Sequence, residues 1–271
     1  MPGAATRLRA RFLQGFHYGV IVIKSSTKAK VAYTTATILV ALSIATACLL
    51  AYFASRAVQI DPVPNSDEAA SASERADPYA VDWDYWLGVN PDLAGWVMIP
   101  DANISLPVVR APKSDPDFYL KHDIYKGYNP MGAVYLDASS PSFFEGGNSV
   151  IFGHNWAGGV FASLSQYSNR SWAQEHSIIV LLAPEKDPLF LEVQCADVIP
   201  GSSAVKRTSF EDHADFMAYW TERFKSSGMK LVSEAVETDH IFTFVTCSYN
   251  FWPSNERTLV YAVVDEGALR S

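Results

Sequence analysis

The chain contains few cysteines. It also has no acidic residue near its N-terminus. Only three of its 271 residues are cysteine, which excludes a small scaffold held together by many disulfides. None of the 29 acidic residues precedes residue 54, whereas six of the 21 basic residues lie within residues 1–30. The remainder is therefore strongly acidic. That composition excludes a broad basic surface for nucleic acid and argues against tight binding to anionic lipid.

Several common motifs are also absent. The sequence contains no HExxH, paired CxxC, P-loop, dinucleotide-binding glycine pattern or GxSxG elbow. We therefore expect neither a metal site nor a cofactor.

Residues 31–53 contain no charged residue, proline or glycine. The segment is long enough to cross a bilayer as a helix. The basic residues before it predict a cytoplasmic N-terminus and an extracellular location from about residue 54 onward. A cleaved signal peptide is the alternative, although such peptides usually have a shorter apolar region. Cys48, which a lipoprotein would use, lies inside the apolar run, and we interpret it as a small membrane-embedded residue.

Four segments follow from this pattern. We predict a basic cytoplasmic leader at residues 1–30, a single transmembrane anchor at 31–53, a flexible stalk at 54–76 and one folded domain at 77–271. The stalk is rich in Ala, Ser, Asp, Glu and Pro and lacks apolar periodicity.

The folded domain has many strand candidates and few helices. We expect a helix capped by Asp77, a short helix near residues 160–167, and one long helix capped by Ser209 and ended by Gly228. Strand candidates bounded by turn residues are residues 95–99, 104–110, 133–137, 149–152, 177–182, 189–199, 241–246 and 258–264. This composition predicts a mainly β fold, built as a closed or nearly closed barrel.

Three residues offer the chemistry of a nucleophilic site. Cys247 follows one strand candidate, and Arg257 stands at the start of the next. A thiolate attacks carbonyl carbons well, and a histidine such as His154, in the run FGHNW, can transfer the protons. A guanidinium can stabilise the developing oxyanion. We therefore interpret Cys247, His154 and Arg257 as candidate catalytic residues.

Each of these residues also has a structural explanation. Cys247 fits a small buried residue at a strand end, and His154 fits a side chain that satisfies a loop carbonyl. Arg257 can pair with Glu256 or Asp265 on the surface.

Two further alternatives concern other residues. Cys195 and Cys247 can form a disulfide in an oxidising exterior, although Cys195 reads as a core thiol. His122 is the main rival as an acid–base residue.

Six segments together resemble class B sortases, which are membrane-anchored cysteine transpeptidases of Gram-positive bacteria. The long helix between the later strands is also a feature of that class, and the resemblance covers about residues 80–265. The matching segments are TFVTCSY at residues 243–249 with Arg257 after it, NPDLAGWV at 90–97, ISLPVV at 104–109, FYLKHD at 118–123, GAVYLD at 132–137 and FGHN at 152–155.

The resemblance implies an eight-stranded sortase barrel with an N-terminal helix and one long inserted helix. It implies that Cys247 is the nucleophile, His154 the general acid–base and Arg257 the stabiliser of the transition state or substrate. The thiol and imidazole are expected to be neutral at rest. The residues implied in substrate binding are Leu120, Tyr119 and Thr246.

The implied reaction cleaves the C-terminal sorting pentapeptide of a secreted protein after its fourth residue. A thioacyl-enzyme forms, and an amine of a peptidoglycan precursor or of a pilin lysine resolves it. No cofactor is implied. A different cell-surface Cys–His hydrolase and a non-catalytic binding module are the alternatives.

Some positions depart from the family pattern. Phe244 and Val245 replace the usual Leu and Ser before the nucleophile, and Pro116 replaces an Asn. Because these positions are associated with substrate contact in the family, the resemblance does not determine which sorting motif is bound. Residues 77–79 faintly resemble the lid of pilus-type sortases.

Overall fold

A computed structural model describes residues 38–48, 77–102, 104–156, 159–203, 206–248, 255–265 and 267. The chain divides into two units, Met1–Tyr52 and Phe53–Ser271. In the first unit, residues 38–48 belong to helix α1, and their large apolar side chains are exposed. Within the described residues, no helix is both long and apolar enough to cross a membrane. The predicted leader and stalk, and the rest of the predicted anchor, lie outside the described residues.

The second unit contains three α-helices, two 3₁₀ helices and eleven strands among its described residues. The helices are α2 (Trp83–Val89), α3 (Arg170–Glu175) and α4 (His213–Ser226), with 3₁₀ helices at Phe118–Leu120 and Ala162–Ser168. The strands are β1 (Leu93–Ile99), β2 (Ile104–Arg110), β3 (Val134–Leu136), β4 (Gly147–Phe152), β5 (Asn155–Trp156), β6 (Gly159–Val160), β7 (Ile178–Leu182), β8 (Leu189–Pro200), β9 (Met229–Lys230), β10 (His240–Ser248) and β11 (Glu256–Val264).

Eight of these strands close into a barrel. Their order is β11, β10, β4, β3, β2, β1, β7 and β8, and β8 pairs back onto β11. The pairs β2–β3 and β4–β10 are parallel. Strand β9 adds to β8 as an extra edge, and β5 and β6 form a separate hairpin. The predicted mainly β, eight-stranded barrel is thus confirmed.

The strands that carry the candidate site have two differently buried faces. Successive side chains of a strand point to opposite faces. One face of β10 and β11 fills the barrel, and the other packs against α4, whose aromatic residues recur every four positions. The barrel side chains are Phe242, Phe244, Val260 and Ala262, and the α4-side cluster includes Ile241, Val245, Leu259, Tyr261, Phe216, Trp220 and Phe224.

The predicted helix starts need correction. Helix α4 is capped by Asp212, whose Oδ1 accepts a hydrogen bond from the Asp215 N–H at 2.8 Å, and not by Ser209. Helix α2 is capped by Asp82. Asp77 instead closes a local turn, because its Oδ1 accepts from the Tyr79 N–H at 2.9 Å. Aspartate caps helices and turns by the same bond, so the residue type alone did not distinguish the sites.

The region of the predicted short helix is more structured than expected. A 3₁₀ helix covers Ala162–Ser168, and the unpredicted α3 follows it. Asn169 caps α3 by accepting from the N–H groups of Ser171 and Trp172.

The segment that resembles a lid lies far from the candidate site. The ring of Tyr79 packs edge-on against Phe190, with 5.5 Å between ring centroids. Phe190 lies near the start of β8, whereas Ile199 near its end faces Arg257. Nine residues of strand separate the two points by roughly 30 Å. Tyr79 is therefore part of the packing at the other end of the barrel.

Candidate active site

The parallel pairing of β4 and β10 brings His154 beside Cys247. Phe152 and Val245 form the last registered pair of these strands. The Gly153 N–H then donates to the Val245 carbonyl at 3.0 Å. His154 and Cys247 each lie two residues beyond that pair. Because neighbouring strands are about 4.8 Å apart, both side chains emerge close together on the same face.

Arg257 approaches Cys247 from the other side. The two residues are direct partners in the antiparallel pairing of β10 and β11. Such partners share a face and have Cβ atoms about 5 Å apart. The order across three adjacent strands is therefore His154, Cys247 and Arg257. All three extend from the outer face of the barrel, which farther along the strands packs against α4.

His154 is held by a backbone carbonyl on one side and by the thiol on the other. Its Nε2–H donates to the Leu120 carbonyl at 2.9 Å, which leaves Nδ1 to hydrogen-bond the Cys247 side chain. That contact with Cys247 raises the pKa of His154, and the Leu120 carbonyl adds to the rise, whereas burial and the charge of Arg257 oppose it. The imidazolium form is therefore stabilised next to the half-buried thiol of Cys247.

The side chain of Arg257 is fixed by its own strand end. Its Nη1 donates to Asn255 Oδ1 at 2.6 Å and to the Glu256 carbonyl at 3.0 Å. Gly201 lies against the side chains of Asn255 and Arg257. Its N–H donates a hydrogen bond to the Asn255 carbonyl at 2.6 Å. A Cβ atom at Gly201 would lie 2.6 Å from Asn255 Oδ1 and 2.9 Å from Arg257 Nη1. Sequence reasoning missed this support; its signal was a glycine directly after a strand.

Only Leu120 of the three implied substrate-binding residues borders the site. Tyr119 is fully buried, and its hydroxyl accepts from Asn90 Nδ2 at 2.8 Å and donates to Asp92 Oδ2 at 2.7 Å. Burial also raises its pKa. Thr246 is buried on the barrel face of β10, opposite to the face of Cys247. The side chains of Tyr119 and Thr246 are thus buried away from the outer face that carries Cys247.

An aromatic pair that sequence reasoning missed flanks the site. The rings of Tyr135 and Phe152 stack with 5.4 Å between centroids. Tyr135 is buried, and its pKa is raised by burial and by the nearby charges of Asp117, Asp137 and Cys247. Because Tyr135 faces Phe152 across β3 and β4, the pair extends the site face toward the Leu120 segment.

The structure also describes the cysteines of the possible disulfide and the rival histidine, His122. No disulfide joins Cys195 and Cys247. Cys195 is buried, and burial raises its pKa to about 12. His122 stacks on Phe118 at 4.0 Å, and its Nδ1–H donates to the Phe118 carbonyl at 2.7 Å. Within the described ranges, no group of three or more His, Cys, Asp or Glu side chains is arranged to hold a metal ion.

Comparison with known proteins identifies relatives of this chain. No family model matches it. A curated relative, sortase B of Listeria monocytogenes, is 26% identical over 162 residues, which are 59% of this chain and 64% of the relative. The match therefore spans less than two thirds of that relative's length.

Solved structures of class B sortases share the fold. The sortase B of Clostridium perfringens superposes with a TM-score of 0.61 at 24% identity, covering 68% of this chain and 99% of that one. A Staphylococcus aureus sortase B–substrate complex gives a TM-score of 0.59 at 21% identity, covering 67% of this chain and 83% of that one. The predicted resemblance is confirmed: this chain is similar in sequence to a sortase B and has the fold of the class B sortases.

Proposed function

We propose that this protein is a cysteine transpeptidase of the class B sortase type. The observation that carries the proposal is the alignment of His154, just beyond the end of β4, with Cys247 on β10 and Arg257 on β11, with His154 hydrogen-bonded to the thiol. A nucleophile, an acid–base group and a charge-stabilising donor are what acyl transfer requires.

In the proposed reaction, the Cys247 thiolate attacks the carbonyl carbon of a peptide bond. Arg257 donates hydrogen bonds to the oxyanion, and His154 gives its proton to the departing amine as the C–N bond breaks. A thioacyl-enzyme remains. An incoming amine then attacks the thioester, His154 accepts its proton, the C–S bond breaks and the thiolate is restored.

The proposed donor is a secreted protein with a C-terminal sorting pentapeptide, cleaved after its fourth residue. The S. aureus relative is described as a sortase B–substrate complex, which supports substrate binding by the same fold. The proposed acceptor is an amine of a peptidoglycan precursor, or alternatively of a pilin lysine. A non-sortase hydrolase would use water as the acceptor instead.

We further propose that the protein is anchored in the cell membrane through residues 31–53, with a cytoplasmic N-terminus and an extracellular catalytic domain. The uncharged apolar run and the basic residues before it support this orientation. Such a location would place the thiol where secreted proteins and wall precursors meet.

The test is to incubate the protein with a panel of sorting-type pentapeptides, with and without an oligoglycine amine, and to follow products by mass spectrometry. We expect an acyl adduct on Cys247 that becomes an amide when the amine is present. The Cys247→Ala variant should form no adduct, whereas the matched Cys195→Ala variant should react like the parent. Cleavage without an amide product would contradict transfer and indicate a hydrolase.

A further inference from the structure

Two threonines face each other inside the barrel, directly behind the candidate site. Thr246 precedes Cys247, Thr258 follows Arg257, and the two threonines are register partners in the β10–β11 pairing. They lie on the face that carries Phe244 and Val260, which belong to the barrel core. Cys247 and Arg257 occupy the opposite face of the same strand ends.

Both threonines are almost completely buried. Thr246 is 1% exposed and Thr258 is 0% exposed. Neither Oγ1 atom has a hydrogen-bond partner among the residues that the structure describes. An unsatisfied buried hydroxyl is costly, and a valine of the same shape would avoid the cost. Two such hydroxyls on facing positions therefore call for a shared partner.

The other threonine of the same strand shows how a buried hydroxyl is normally satisfied here. Thr243 is also buried, and its Oγ1 donates to Asn148 Oδ1 at 2.7 Å. The contrast singles out Thr246 and Thr258, since a direct bond between them is not formed.

We propose that one water molecule binds between the Thr246 and Thr258 hydroxyls and bridges the strand ends that carry Cys247 and Arg257. A buried water is stable where it finds two to four polar partners, and two hydroxyls on adjacent strands provide the first two. The bridge limits how far the ends of β10 and β11 can separate. Thr246 and Thr258 are thus positioning residues, which act on the thiol and guanidinium through the backbone.

The direct test is a high-resolution crystal structure of the protein. We expect an ordered water within hydrogen-bonding distance of both Oγ1 atoms. Two hydroxyls bonded to each other, or to other groups with no water between them, would overturn the proposal.

A double-mutant cycle tests the bridge in solution. Thr246→Val and Thr258→Val each remove one hydroxyl and should each lower the folding equilibrium constant about fivefold or more. The double variant removes both polar groups together with the need for water. The fold reduction in its folding equilibrium constant should therefore be smaller, by about threefold or more, than the product of the two single-variant reductions. Single losses that simply multiply would contradict a shared partner.

The positioning role has its own readout. We would measure the rate at which iodoacetamide modifies Cys247, following the peptide that contains it by mass spectrometry. Both single valine variants should react several-fold more slowly, and Thr258→Ser, which retains a hydroxyl, should restore the rate. The Thr221→Val variant, at a partly buried position on α4, is the matched control. Equal rates in all variants would overturn the positioning role.

Discussion

Cys247 and Arg257 are direct cross-strand partners at the open ends of β10 and β11. The pairing of the two strands brings the Arg257 side chain to the same face as the Cys247 sulfur. In the described part of the chain, both hydrogen bonds of Arg257 use Nη1. Because a guanidinium has five N–H donors, the bonds that orient Arg257 leave donors for an oxyanion.

Arg257→Lys should therefore lose activity while keeping its charge. A lysine ammonium is a point charge that cannot both hold Asn255 and reach an oxyanion in the same planar geometry. Loss of one such donor typically lowers kcat by about 100-fold or more. Steady-state transfer assays with the peptide and amine would measure the loss.

Arg170→Lys is the matched control for that change. Arg170 Nη1 donates to the Lys230 carbonyl, on β9 at the edge strand of the sheet, and this variant should transfer at the parent rate. Transfer by Arg257→Lys within about twofold of the parent would rule out a role for the guanidinium fork.

Gly201→Ala should disturb the site without unfolding the barrel. The added Cβ would lie within 3 Å of Asn255 Oδ1 and Arg257 Nη1, which are the ends of flexible side chains. Because those ends can move, we expect the added Cβ to change the orientation of Arg257 more than it lowers the stability of the fold. We predict a lower kcat with a nearly unchanged Tm.

Gly88→Ala is the control for this change, because a Cβ there meets nothing within 4 Å. It should keep parent activity and, since alanine favours helix, should not lower the Tm. Equal activity of the two alanine variants would contradict a supporting role for Gly201.

The sequence predicts the strands better than their partners. Residues 104–110 are predicted as a strand, and β2 has the same bounds, since the β-branched residues Ile104, Val108 and Val109 and the flanking turn residues are local signals. The parallel pairing of β4 with β10 joins segments nearly 90 residues apart. No local signal encodes that pairing, so it depends on the packing of the whole barrel.

The same division applies to the candidate site. The sequence places Cys247 and Arg257 together because they flank one strand connection, whereas His154 is indicated only by its chemistry and by the family resemblance. The sequence does not predict on which face of β10 Thr246 lies, or that Tyr119 is buried. The hydroxyl of buried Tyr119 is hydrogen-bonded by Asn90 and Asp92, which lie in the segment joining α2 to β1.

The reactivity of Cys247 should depend on His154 through pH. The hydrogen bond with Cys247 raises the pKa of His154, so the imidazolium persists to higher pH and stabilises the thiolate beside it. We expect alkylation of Cys247 to begin at lower pH in the parent than in His154→Gln. Rates measured by mass spectrometry from pH 5 to pH 9 would show the shift.

The shape of that profile also tests the resting state of the pair. If both groups are neutral at rest, as the resemblance implies, reactivity should still increase above pH 7. A thiolate already fully formed below about pH 7 would contradict the neutral pair and indicate a resting ion pair. Superimposable profiles for the parent and His154→Gln would contradict the coupling itself.

The burial of His240 should make the protein less stable in mild acid. It is buried at the start of β10, where its Nε2 contacts Ser149 Oγ at 2.9 Å, and burial lowers its pKa from 6.5 to about 4. Between these values the unfolded chain binds a proton that the folded chain does not. The free energy of unfolding should therefore fall as the pH drops from 6.5 toward 4, by roughly 3 kcal/mol in total.

Urea unfolding of the parent and of His240→Gln at pH 7, 5.5 and 4.5 would test this prediction. The variant should show a smaller decrease, whatever its stability at pH 7. His213 is the control with the opposite sign, because contact with Glu237 raises its pKa. The stability that charged His213 contributes is present at low pH and is lost as the pH rises through its folded pKa. His213→Gln should therefore not reduce the acid-induced loss. An equal pH dependence in the parent and in His240→Gln would show that His240 does not titrate as a buried, neutral side chain.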